Sequence, residues 1–370
     1  MAVTVSTAGP YYASGEIKYS SLRSNFRAQV RKETSGGSET FNSDSSPIKA
    51  SELRRNTDIA NSSPVVPDAT ENVNISTSDD LKLSQFRNSI KYYYISQSST
   101  ELNFDIDAQT WNSNLSKNII KVAFIDGTCG SNSATSAAAE LAATAHNLTV
   151  DVYGDILGAG GKGGGTTGAP AISGENGGNA LAMSSSGGNN IVVLVRSTAK
   201  IYGGGGGGEK GLKGADGSGG TCYNYIYINQ CSVSAPSCPG GWSQISSGWG
   251  CCEWNRGCAV ARWTRTCQQS YPSSGGIGGV GGNGGPGRGY NNQSGSLAGD
   301  AGGGGSSGGG CGATDGKTGE TGADGGEWAT AGGNTTNSGD GGGVGKAISG
   351  SNYTVTGTIN SSTVKGAYNP

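Results

Sequence analysis

Gly275-Gly276-Ile277-Gly278-Gly279-Val280-Gly281-Gly282-Asn283-Gly284-Gly285-Pro286-Gly287-Arg288-Gly289 sets glycine on every third residue, and the reading of this stretch governs the rest of the chain. The same step returns from Gly316 (Gly-Lys-Thr-Gly-Glu-Thr-Gly-Ala-Asp-Gly), from Gly299 and, earlier, from Gly208 (Gly-Glu-Lys-Gly-Leu-Lys-Gly-Ala-Asp-Gly). Sixty-two of the 70 glycines lie between residues 151 and 350. A period of three is that of the polyproline II helix, which turns every three residues and makes no internal hydrogen bonds. One glycine-rich strand of this kind does not persist alone, because glycine has the most backbone entropy to lose. Several together are different: without Cβ atoms their backbones approach closely and bond laterally. The expected fold class is therefore mostly irregular and β, built on a polyglycine sandwich of packed polyproline II helices over 158–220 and 274–350. A flexible linker needs no phase and rarely carries Trp, Ile, Val and Cys. Collagen needs a long unbroken run with more proline. A β-solenoid is the nearest competitor, but the tracts show no two-residue alternation.

Composition agrees with a body held by its backbone. Only 33% of the 370 residues are hydrophobic, so an ordinary core cannot be drawn from residues 151–350. The net charge of −2, with both signs scattered, lacks the footprint of a nucleic-acid binder. No eighteen-residue apolar stretch occurs, and Met1-Ala2-Val3-Thr4-Val5 is followed by no signal-peptide pattern.

Work outward from the tracts and four further regions separate. Residues 1–95 are polar and carry a thrice-repeated hook: Ile17-Lys18-Tyr19-Ser20-Ser21-Leu22-Arg23, Ile48-Lys49-Ala50-Ser51-Glu52-Leu53-Arg54, and Leu81-Lys82-Leu83-Ser84-Gln85-Phe86-Arg87. In each the serine can cap a short helix, and Leu22, Leu53 and Phe86 are expected to bury against a partner. Residues 96–157 form a β-rich connector, with alternation at Leu102, Phe104 and Ile106 and again over 148–152. Asn147-Leu148 and Asn190-Ile191 open two similar strands, each soon followed by glycine. Residues 351–370 read as a closing hairpin-like β segment. The glycine body is thus bracketed by β-structure.

Between the two halves of that body sits residues 221–273, where the beat stops. This module holds Cys222, Cys231, Cys238, Cys251, Cys252, Cys258 and Cys267, four tryptophans, and the stripe Tyr223, Tyr225, Tyr227. It reads as a small disulfide-stapled insert. Six of its seven cysteines can pair internally, the seventh being free or joined to Cys311, while Cys129 is expected as a lone buried thiol. No metal site is expected, since no regular Cys-x-x-Cys pair occurs and the one histidine, His146, is distant.

Catalysis finds no support: a nucleophilic triad would have to use His146, which no nucleophile motif accompanies. Carboxylates such as Glu101 and Asp105 are better explained as the outward face of a strand. Gly-x-Gly-x-x-Gly strings arise by chance wherever every third residue is glycine. No cofactor is expected. Binding is better supported, by aromatic side chains mixed with arginine on a fixed module. The expected anchors are Tyr225, Trp242, Trp249 and Trp254, with Tyr290 and Trp328 in loops where the beat breaks.

A polar N-terminal region, phased glycine tracts and irregular intervening segments together resemble the tail-fibre tip adhesins of T-even-like bacteriophages. The hook resembles short segments of tail proteins in marine and cyanobacterial phages. Gly345-Lys346-Ala347-Ile348-Ser349-Gly350-Ser351-Asn352-Tyr353 is similar to the ending of some glycine-rich phage tail-tip proteins. The resemblance covers most of the chain; the Cys/Trp-rich insert departs from it. It implies a non-catalytic virion tail protein, made in the host cytoplasm. It would be seated on a trimeric tail fibre or baseplate protein, with a host outer-membrane protein or surface glycan as target. Rival readings are a structural fibre protein, a glycan-degrading tailspike and a stand-alone ice-binding protein. The last would need a flat repetitive face and has no use for three hooks.

Overall fold

The computed structural model describes residues 72–75, 77, 82–86, 93–106, 121–142, 148–166, 172–183, 191–232, 234–251 and 261–368, together with short paired segments at 6–7, 31–32, 38–39, 55–56 and 66–67. Its frame is a three-faced parallel β-solenoid. The first rung is β1 (Tyr93–Gln97), β2 (Thr100–Leu102) and β3 (Phe104–Asp105); the second is β4 (Lys121–Ile125), β5 (Thr128–Gly130) and β6 (Ala139–Leu141). The third is β7 (Leu148–Val152), β8 (Asp155–Leu157) and β9 (Leu181–Met183). β10 (Ile191–Val195) and β11 (Lys200–Tyr202) begin the fourth. It is completed, far along the chain and beyond the insert's own strands, β12 (Gly220–Ser232), β13 (Ser243–Cys251) and β14 (Ala261–Ser273), by β15 (Ile348–Ser349). β16 (Thr354–Gly357) and β17 (Val364–Lys365) close the stack. Strands of successive rungs pair in parallel on each face, and Ser6–Thr7 pairs antiparallel with β1.

Register explains the core. Ile95, Ala123, Val150, Val193 and Val355 are consecutive partners along the first face. Cys129, Ile156, Ile201 and Val364 align along the second, and Phe104, Ala139, Leu181 and Ile348 along the third. These positions converge on one apolar interior. Each of these side chains packs on the one above and below it, which is why strands of two to five residues suffice.

The glycine tracts leave this frame at one corner, between the second and third faces. Residues 158–166 and 172–180 lie outside the frame between β8 and β9, and the described residues of 203–347 do so between β11 and β15 on the next rung. Both excursions consist largely of straight rods without strand pairing. The rod 203–219 is central. Gly208, Gly211, Gly214 and Gly217 donate their N–H groups to Gly285, Gly282, Gly279 and Gly276 of the rod 275–288. Gly276, Gly279 and Gly282 donate in turn to Thr314, Lys317 and Glu320 of the rod 314–326. That rod completes the circuit, with Thr314, Lys317 and Glu320 donating to Ser218, Ala215 and Leu212. The three-residue period of the sequence thus returns as a three-residue period of lateral hydrogen bonds. Close approach is what demands glycine: a Cβ on Gly208 would lie 2.0 Å from the carbonyl oxygen of Ala323, and one on Gly279 would lie 1.8 Å from that of Gly303.

Three expectations are corrected. The fold class is a parallel β-solenoid carrying a glycine lattice on two excursions, not an irregular body behind a β connector. There is no α-helix among the described residues; of the three short N-terminal helices expected, those at 17–23 and 48–54 lie outside them. The hook that falls within them, Leu83–Phe86, is one 3-10 turn, closed where Gln85 donates its N–H to the Lys82 carbonyl. Four residues are too few to propagate a helix. The C-terminal segment is not a hairpin: β16 and β17 pair in parallel with β10 and β11 as successive sides of one rung.

Candidate functional site

At the far end of the lattice the rod 203–219 runs directly into β12 (Gly220–Ser232), and the rod 275–288 descends from β14 (Ala261–Ser273). With β13 (Ser243–Cys251) they make a three-stranded antiparallel sheet in the order β12-β14-β13. Strand character comes from the alternation Tyr223, Tyr225, Tyr227 against Ile226 and Ile228, and from the Thr-rich run in β14. Gly220 is paired with Ser273 at its base, so the module enters and leaves the lattice at adjacent points.

Disulfides fix it. Cys238 bonds Cys267, pinning the segment after β12 to the central strand. Cys222 bonds Cys311, which sits in the turn joining two lattice rods. Cys231 is also disulfide-bonded. The expected link of the module to Cys311 is therefore present, made by Cys222. Cys252 and Cys258 lie outside the described residues, as does the side chain of Cys251. Cys129 is a free thiol buried in the solenoid, its pKa pushed up from 9.0 to about 12, chiefly by burial and then by the charge of Glu101.

Directly opposed residues of an antiparallel pair share a face. One face of the sheet carries Trp249, directly across from Trp263, with Arg265 and the Cys238–Cys267 bridge. The other carries the tyrosines of β12, opposite Ser270, Gln268 and Thr266 of β14. Trp249 is 73% exposed, Tyr225 49% and Tyr227 80%, while Trp242 is half-buried. Trp254 lies outside the described residues. Arg262 donates from Nε to Oδ1 of Asn229 at 2.9 Å. Tyr223 and Tyr227 were absent from the expected anchors, although their alternation with Asn224 and Ile226 marked a common face.

Two expected anchors lie elsewhere. Tyr290 is half-buried at the root of the lattice: its N–H donates to the Gly158 carbonyl and its ring covers Gly130 of β5. Trp328, also half-buried there, meets the ring of Tyr202 at 5.6 Å, and the Tyr202 hydroxyl donates to the Ser362 carbonyl. Lattice rods without side chains leave space against the solenoid, and these rings fill it. Beside them the Arg288 guanidinium forks onto Glu327, holding that carboxyl below the usual range. Of the hook residues, Phe86 is buried at 1% exposure within the chain itself, whereas Leu22 and Leu53 lie outside the described residues. Among the described residues no group of three or more His, Cys, Asp or Glu could hold a metal, and no helix is long and apolar enough to cross a membrane.

No protein-family model and no curated protein matches the chain. Among solved structures it is similar to the gp37-gp38 adhesin tip complex of the bacteriophage S16 long tail fibre. The match spans 79% of this chain and 88% of that one, at 16% identity and a TM-score of 0.34, too loose to bear on fold or role.

Proposed function

We propose that the chain is a non-catalytic virion adhesin that recognises the host cell surface from the tip of a phage tail. The observation that carries this reading is the placement of the one side-chain-rich module at the far end of the lattice, covalently tied to it through Cys222 and Cys311. At about 3.1 Å per residue, the central rod of some seventeen residues holds the module roughly 50 Å from the solenoid. Glycine rods offer too little side-chain surface to discriminate a partner; a sheet with exposed Trp249, Tyr225 and Tyr227 offers enough. Trp242 and Trp254 complete the proposed anchors. The resemblance of the glycine beat and of the 345–353 ending to phage tail-tip proteins points the same way. In this reading Leu22 and Leu53 seat the chain on a trimeric fibre or baseplate protein. The alternative is a homotrimer, and the mass of the isolated protein separates the two.

The test replaces residues 221–273 with a short Gly-Ser bridge, which the pairing of Gly220 with Ser273 permits without moving the rods. The shortened protein should fold and join the virion yet no longer hold host cells. Retained adsorption would move recognition to the loops around 288–297 or 327–338. Release of soluble sugar from host envelope by the intact protein would replace the adhesin reading with a tailspike.

A further inference from the structure

The two faces of the distal sheet are not equivalent. The tryptophan face is crossed by its own chain, because Cys238 is bonded to Cys267 on that side, and Cys222, tied to Cys311, points the same way. Among the described residues the tyrosine face carries one disulfide-bonded cysteine, Cys231, at the end directly across from Arg262, and Tyr223, Tyr225 and Tyr227 along the rest of it stay exposed. Its profile is stepped. Along the edge strand β12, Tyr223, Tyr225 and Tyr227 stand as a wall, about 6.7 Å apart at two strand rises. Beside them the central strand presents hydroxyl and amide groups, Thr266 opposite Tyr227 and Gln268 opposite Tyr225. On the far side the floor drops, because Gly248 and Gly250 of β13 occupy this face, and a Cβ built on Gly250 meets nothing within 4 Å.

The charge of the ledge is one-sided. No carboxylate lies on it among the described residues. Among its described residues the cation is Arg262, exposed at one end, with its guanidinium plane fixed by the bond from Nε to Asn229 on the same face. The module as a whole carries Arg256, Arg262 and Arg265 against the single acid Glu253, in a chain whose net charge is −2.

Aromatic faces beside amides and hydroxyls suit the C–H faces and hydroxyl groups of sugars. A protein loop or helix would demand an apolar pocket for anchor side chains, and a ledge floored by glycine and serine supplies none. We propose that this ledge binds an acidic oligosaccharide. Sugar rings stack on Tyr225 and Tyr227, hydroxyls bond to Gln268 and Thr266, and a carboxylate or phosphate substituent pairs with Arg262. The proposal rests on the adhesin reading and narrows its ligand.

The test uses the full chain, an array of purified acidic and neutral bacterial surface polysaccharides, and intact bacteria of the same strains treated with periodate or with protease. Wild-type protein should bind acidic polysaccharides, and its cell binding should be lost to periodate and survive protease. Tyr225→Ala with Tyr227→Ala should weaken binding about tenfold or more. Tyr225→Phe with Tyr227→Phe keeps the ring faces and should retain it; both side chains are exposed, and a thermal melt verifies that each variant folds. Arg262→Gln should abolish the preference for acidic over neutral glycans. Cell binding that resists periodate and is lost to protease overturns the ledge and leaves an adhesin for a protein receptor. Undiminished binding by the double alanine variant also overturns the ledge alone. No binding to any strain or polysaccharide overturns both readings.

Discussion

Cys222, the second residue of the distal module, is bonded to Cys311, the middle of three consecutive residues with positive φ (Gly310, Cys311, Gly312) in a turn 89 positions along the chain. The module is thereby fastened to a rod other than the two from which it springs. Thr221 reinforces the contact by donating its N–H to the carbonyl of Cys311.

Loss of this bond should loosen the tip. In the chain-entropy description a loop of that length is worth about 4–5 kcal/mol. Cys222→Ser with Cys311→Ser should lower the melting temperature and speed limited proteolysis within 221–273 and around 308–313. Cleavage at wild-type rates would mean that the module is held by its own strands alone.

The lattice should distinguish its glycines sharply. Gly208→Ala and Gly279→Ala each drive a methyl group into a neighbouring carbonyl and should destabilise by about 1–3 kcal/mol or more. Gly304→Ala, whose Cβ meets nothing within 4 Å, should be tolerated. Thermal melts of the three variants check this, and equal melting temperatures would contradict the close packing of the rods.

Tyr290 and Trp328 should behave as wedges. Trp328→Ala removes the ring against Tyr202, and Tyr290→Ala uncovers Gly130. Each should cost about 1–3 kcal/mol, below the range for fully buried aromatics because both are half-buried. Neither should change cell binding measured well below the melting temperature. A binding loss without a stability loss would return these residues to the recognition surface.

Cys129 gives the protein an alkaline limit. Its folded-state pKa is raised from 9.0 to about 12, so the fold favours the neutral thiol. That contribution is complete below about pH 9 and declines as pH rises from there toward 12. Urea midpoints measured from pH 8 to 11 should fall less steeply for Cys129→Ala than for wild type. Parallel slopes would assign the alkaline loss to other groups.

Much of this was legible in the residues. The three-residue beat was visible because each third position faces a neighbouring backbone and admits no other side chain. The solenoid was not, because its strands have two to five residues and pair across long excursions. Its trace was nevertheless present: of the two similar strand openings, Leu148 begins β7 and Ile191 begins β10, and the two are direct partners. Tyr290 and Trp328 stand where the beat breaks, and a break looks alike at either end of a rod. Counting passes decides it: the chain runs out over 203–219 and back over 275–288, so residue 290 must lie at the root. The same count puts Cys311 at the tip, beside Cys222.

The lattice also has a thermal consequence. Its order rests on peptide groups bonded to one another, with little apolar surface withdrawn from water. Unfolding a conventional core exposes oily surface that raises heat capacity, whereas exposing peptide groups lowers it. The free energy holding the rods together therefore varies gently with temperature, without the steep curvature that weakens a hydrophobic core in the cold. Such a lattice loses little of its hold on cooling.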